Sequence, residues 1–81
     1  MAEEYKTPEG KSKQRLRIMK HLRKYGAITS MEAIALYGVM RLSARICELE
    51  ARGVVIGRER KKGANRYGEA VRYVEYRLIK E

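Results

Sequence analysis

The sequence predicts an α+β fold in which three helices are followed by a two-stranded β-hairpin. Three observations carry that expectation. Apolar residues recur at helical spacing in three runs between Ser12 and Arg52. Each run is followed by a glycine, at Gly26, Gly38 and Gly53. Beyond Gly53 the apolar period falls from about 3.6 residues to about 2, the alternation of a strand pair joined by a Gly-containing loop.

Met1–Gly10, which ends in Thr7-Pro8-Glu9-Gly10, reads as a disordered leader, and residues 11–81 as one domain. From Ser12 to Tyr25 the residues Leu16, Ile18, Met19, Leu22 and Tyr25 form an apolar side. Ser12 suits the N-cap, and Lys13, Arg17, Lys20 and Lys24 line the opposite side. His21 falls between the two faces and reads as a surface or boundary residue, since no second metal ligand is near it in the pattern.

Ala27-Ile28 is too short for an independent strand but can pair as a stub. Thr29-Ser30-Met31-Glu32 is a capping box, with the Thr29 hydroxyl and the Glu32 carboxylate serving each other's backbone. It opens a second helix over Ser30–Tyr37, with Ala33, Ile34 and Tyr37 for the core. Val39-Met40 makes a tight turn. The third helix runs from Arg41 to Arg52 with Leu42, Ile46 and Leu49 inward, and Arg41, Ala44, Arg45, Glu48 and Arg52 outward. Val54-Val55-Ile56 begins the first strand, Gly63-Ala64-Asn65 and Gly68 are turn material, and Val71–Ile79 alternates as the second.

With 81 residues there is room for one core, and a chain of this size buries only about 60% of its unfolded surface. Nineteen Lys and Arg against ten Glu give a net charge of +9, and Asp is absent. The charge is blockwise: seven basic residues and no acid lie between Lys11 and Lys24, and five against one Glu between Arg58 and Arg66. Such blocks fit a phosphate-tracking surface better than general solubility.

Other function classes are excluded by missing parts. With one His, one Cys and no Asp, the chain offers neither a metal-ligand spacing nor a catalytic triad. Its glycines are scattered, so no phosphate-cradling loop exists. A non-enzymatic chain without cofactor or metal is expected. Cys47 reads as a half-buried filler, and a lone cysteine fits a reducing compartment. No apolar stretch is long enough for a membrane, and Glu3 and Glu4 stand where a secretory signal needs apolar residues, so a cytoplasmic, nucleoid-associated chain is expected.

A short helix, a tight turn and a second helix form a helix-turn-helix unit, whose second helix enters the DNA major groove. That arrangement makes Arg41 and Arg45 the candidate base readers, with Ser43 and Ala44 small enough for close approach and Arg52 at the far end. Arg58, Arg60, Lys61, Lys62, Asn65 and Arg66 are candidates for phosphate or minor-groove contact from the hairpin; the blander reading is protection of a strand edge. Leu36 and Met31, if exposed, supply a surface for a homodimer on DNA.

Thr29-Ser30-Met31-Glu32-Ala33, Tyr37-Gly38-Val39, Arg41-Leu42-Ser43-Ala44-Arg45-Ile46, Leu49, Gly53 and Tyr76-Arg77-Leu78 together resemble the small winged helix-turn-helix proteins of bacteriophage and prophage genomes. The likeness covers Ser12–Ile79. It implies double-stranded DNA binding through the third helix and the hairpin wing, in a transcriptional regulator or a recombination accessory factor. Met40 stands where many winged helices carry a polar N-cap. A protein-interaction module and an RNA-binding module are the alternatives, the second because Tyr67 and Tyr73 could stack bases.

Overall fold

The computed structural model describes residues 8–81, with side chains described from Ser12 onward. Its elements run α1 (Pro8–Tyr25), β1 (Ala27–Thr29), α2 (Ser30–Tyr37), α3 (Leu42–Ala51), β2 (Val55–Ala64) and β3 (Ala70–Lys80). The expected order stands, but the sheet has three strands in the order β1-β3-β2 rather than the two of a simple hairpin. β1 pairs antiparallel with β3 through Ala27↔Arg77, Ile28↔Tyr76 and Thr29↔Glu75. So short a strand persists because β3 offers it an open edge and because Ile28 is fully buried. The Leu78 N–H donates to the Gly26 carbonyl at 2.9 Å and extends the same seam.

α1 begins at Pro8 rather than at Ser12, so Pro8–Gly10 of the expected leader are helical; residues 1–7 lie outside the described residues. Proline suits a helix start because the first turn has no use for its missing N–H. The Ser12 hydroxyl instead accepts from Arg15 Nη2 at 2.9 Å. α1 buries Ile18, Met19, His21 and Leu22. Leu16 and Tyr25, expected in the core, are 51% and 62% exposed. Leu16 lies two residues from Ile18, about 200° around the helix, and so falls on the far side. His21 is buried, against expectation, because two aromatic residues enclose it. Its Nδ1 meets the Tyr37 hydroxyl at 2.6 Å, and the Tyr25 ring lies 4.6 Å away, centroid to centroid.

The capping box forms as expected: Glu32 N–H donates to Thr29 Oγ1 at 3.3 Å, and Thr29 N–H to Glu32 Oε1 at 2.8 Å. α2 ends at Gly38, whose φ of 66° is open to glycine without a Cβ clash. That left-handed cap turns Val39 inward, where it is fully buried. Ile34, expected inside, is 40% exposed, because α2 packs through the Ala33–Tyr37 side and Ile34 lies about 100° away. In α3 the expected stripe of Leu42, Ile46 and Leu49 is buried. Arg41, not Met40, holds the N-cap position, and it makes no side-chain cap bond.

β2 and β3 pair from Val55↔Lys80 to Ala64↔Ala70, with a register shift at Val55/Ile56. Gly63 and Ala64, expected in the turn, belong to the strand. The turn is the segment from Asn65 to Glu69, closed by Asn65 N–H to the Glu69 carbonyl and Gly68 N–H to the Asn65 carbonyl, both at 3.0 Å. Ile56 and Tyr76 close the core over the helices, and the distal hairpin projects beyond it as a wing.

Candidate nucleic-acid interface

The buried stripe of α3 decides what the helix can show to a partner. With Leu42, Arg45, Ile46 and Leu49 inward, the opposite side carries Ser43, Cys47 and Ala51 exposed and Ala44 half-buried. This ridge is made of small residues, so the helix backbone can come close to a flat or grooved surface. Arg41 at its start and Arg52 at its end are exposed cations. Of the expected site residues, Ser43 and Ala44 therefore lie on the ridge, while Arg41 and Arg52 are exposed at the two ends of the helix.

Arg45 does not join them. The expected exposed reader is 7% exposed and faces α1, a correction that follows from its place one residue before Ile46. Its Nη1 donates to Gln14 Oε1 at 2.9 Å, and its Nη2 pairs with Glu48 Oε2 at 3.1 Å. Arg15 reaches the other Glu48 oxygen at 2.9 Å. One carboxylate on α3 thus gathers two guanidinium groups at the α1–α3 seam, and Arg45 is a strut of that seam.

The wing sorts its charges by face. The register places Arg58↔Tyr76, Arg60↔Val74 and Lys62↔Arg72 on the inner face, the one continuous with the core. Glu59↔Glu75 and Lys61↔Tyr73 fall on the outer face. Outside, the charges cancel: Arg77 pairs with Glu75 at 2.8 Å and approaches Glu59 at 3.7 Å, and Lys61 meets Glu75 at 3.3 Å. Inside, Arg60, Lys62 and Arg72 are exposed, and among the described residues none of them makes an ion pair.

Three more expected contact residues have other places. Lys61 points outward to Glu75, because a strand alternates its faces and Lys61 stands between Arg60 and Lys62. Arg58 is at the base of the wing, not the tip. Its guanidinium clasps both Glu50 oxygens on α3, at 2.9 and 2.8 Å, and lies over the Tyr76 ring at 5.4 Å. The hydrogen bond from Arg58 holds the Glu50 carboxyl below the usual carboxylate range. Asn65 builds the turn: its Oδ1 accepts from the N–H groups of Tyr67 at 2.9 Å and Glu69 at 3.0 Å. Arg66 is exposed at the tip as expected.

Sequence reasoning missed Arg72. Its signal was the alternation of the second strand, where Val74, Tyr76 and Leu78 share a face and Arg72 continues it. Cys47, expected half-buried, is exposed on the α3 ridge. Among the described residues no group of His, Cys and Glu side chains is placed to hold a metal ion, and no helix is long and apolar enough to cross a membrane.

A helix pair joined by a tight turn, with a β-hairpin projecting beside the second helix, defines a winged helix-turn-helix domain. The chain belongs to that family: the model of the winged helix-turn-helix domain matches residues 13–81. This makes DNA the general class of partner. No curated protein and no solved structure matches the chain.

Proposed function

We propose that this protein is a non-enzymatic, sequence-specific binder of double-stranded DNA, acting as a transcriptional regulator or recombination accessory factor of phage or prophage type. The observation that carries the reading is the adjacency of two surfaces. The small-residue ridge of α3 stands beside the cationic inner face of the wing, and the Arg58–Glu50 pair ties one to the other. In this reading α3 lies in the major groove with Arg41 leading, Ser43 and Ala44 against the groove, and Arg52 near the backbone. The wing supplies Arg60 and Lys62 from its inner face. Glu48 and Glu50, the acids that would repel phosphate from α3, are each engaged by arginine. Met31 and Leu36, 74% and 60% exposed on α2, are what supports pairing of two copies on DNA.

Titration of labelled duplex, single-stranded DNA and RNA at two salt concentrations tests the reading. The expected result is preference for duplex, with log K falling by about 0.9 per phosphate neutralised for each tenfold rise in salt. Equal affinity for all three nucleic acids, or duplex affinity indifferent to salt, would overturn it.

A further inference from the structure

The inner face of the wing holds an arrangement that strand stability alone disfavours. Lys62 and Arg72 stand directly opposite each other across the ladder, and Arg60 follows on the same face. Like charges in directly opposed positions destabilise a strand pair, unless an anion lies between them. The outer face of the same hairpin shows the alternative, since there each described cation has an acid.

The tip is different again. From Asn65 to Glu69 it carries one cation, Arg66, and one acid, Glu69, so its charges cancel. Asn65 is spent on the turn, its Oδ1 on two backbone N–H groups and its Nδ2 on Glu69 at 3.2 Å. A wing built to push its tip into the minor groove needs its cations at the tip. Here they lie further down, on one flat face.

We propose that the wing lies flat along one strand of duplex DNA, inner face down, with Arg60, Lys62 and Arg72 as a phosphate-binding triad and the tip outside the minor groove. The proposal rests on the duplex-DNA reading above. Arg60 and Lys62 are about 7 Å apart along the strand, at about 3.3 Å per residue. Adjacent phosphates of one strand rise about 3.4 Å along the axis but lie roughly twice that apart along the inclined backbone, so this spacing matches neighbouring phosphates. Lys62 and Arg72 approach one phosphate from two sides, which turns their mutual repulsion into shared attraction for the anion.

Fluorescence anisotropy with a labelled duplex separates face from tip. K62A/R72A is expected to lose at least tenfold in affinity at moderate salt and to lower the slope of log K against log salt by about 0.9, one phosphate's worth. R66A/Y67A is expected to lose less than threefold. Netropsin, which fills the minor groove of A·T tracts, is expected to leave the complex intact. K62Q/R72Q should repeat the K62A/R72A result, and circular dichroism should show both folded. A larger loss from R66A/Y67A than from K62A/R72A, or release of the protein by netropsin, would overturn the proposal while leaving duplex binding in place. Failure of the unaltered protein to bind any duplex would instead remove the underlying reading, and this one with it.

Discussion

Arg58 on β2 clasps Glu50 on α3 through two parallel hydrogen bonds of 2.9 and 2.8 Å, a bridge between the base of the wing and the third helix. The planar guanidinium matches the carboxylate on both oxygens, so the pair fixes an angle as well as a distance. Its consequence for DNA binding differs in sign from that of charge alone. Glu50→Gln raises the net charge by one, which by itself strengthens attraction to phosphate. If the pair positions the wing, the same variant weakens duplex binding by several-fold. Anisotropy at fixed salt decides between them, and tighter binding would refute the positioning role.

The same pair gives a pH dependence with a definite sign. Hydrogen bonding to Arg58 holds the Glu50 carboxyl below its ordinary range in the folded protein. A carboxylate depressed on folding contributes stability that is present above its unfolded pKa and lost as pH falls through the folded value. The contribution is therefore expected to be full at neutral pH and to fade only in acid, below the range where free glutamate titrates. Thermal melting of the protein and of Glu50→Gln should converge as pH is lowered; curves that stay equally apart at every pH would count against the assignment.

Arg45 is expected to behave as a structural residue. Arg45→Ala removes the bonds to Gln14 and Glu48 inside the α1–α3 seam, and bonds to charged groups are worth about 1.5–3 kcal/mol each when part-buried. Urea denaturation should show a loss on the order of 3 kcal/mol. Under conditions where the variant is folded, its ratio of affinities for preferred and scrambled duplex should be unchanged. Full stability with a collapsed ratio would restore Arg45 as a reader.

Leu42 and Leu16 offer a paired test of the core. Leu42 is 2% exposed and Leu16 51%. Leu42→Ala should cost about 2–5 kcal/mol and leave so small a domain largely unfolded, while Leu16→Ala should stay within about 0.5 kcal/mol of the parent. Similar effects from the two would mean that α1 is rotated from the orientation described.

Lys62→Glu should separate stability from binding. It places an acid directly opposite Arg72, and opposite charges across a strand pair add about 0.2–1 kcal/mol. The variant is expected to melt at or above the temperature of the parent and to bind duplex DNA at least tenfold more weakly. A lower melting temperature would show that the Lys62–Arg72 juxtaposition carries no strain.

Much of the fold was legible because it depends on neighbours in sequence. The Thr29/Glu32 capping box, the stop at Gly38 and the Leu42–Ile46–Leu49 stripe are local, and helical period or cap chemistry declares them. The third strand was legible only as a stub, because three residues acquire strand geometry when β3 supplies their hydrogen bonds. The start of α1 and the inner side of α2 also escaped, the second because which of several apolar residues turns inward depends on what packs there. His21 illustrates it: Tyr37, sixteen residues on, brings the hydroxyl that lets the ring be buried.

By itself the sequence determined that the protein has three helices and a hairpin, and that its positive charge comes in blocks. Both follow from residue type and spacing. Only the tertiary structure decided which cations are free. Arg45 and Arg58 looked no different from Arg60 in the sequence, yet acids on α3 engage the first two and leave the third to solvent. Lys61 and Lys62 are adjacent, but the strand sends them to opposite faces, one toward Glu75 and the other toward Arg72. A charged side chain's role depends on its nearest counter-charge, and that partner is usually distant in sequence. The candidate DNA surface could therefore be assigned to regions from the sequence, but to individual residues only from the fold.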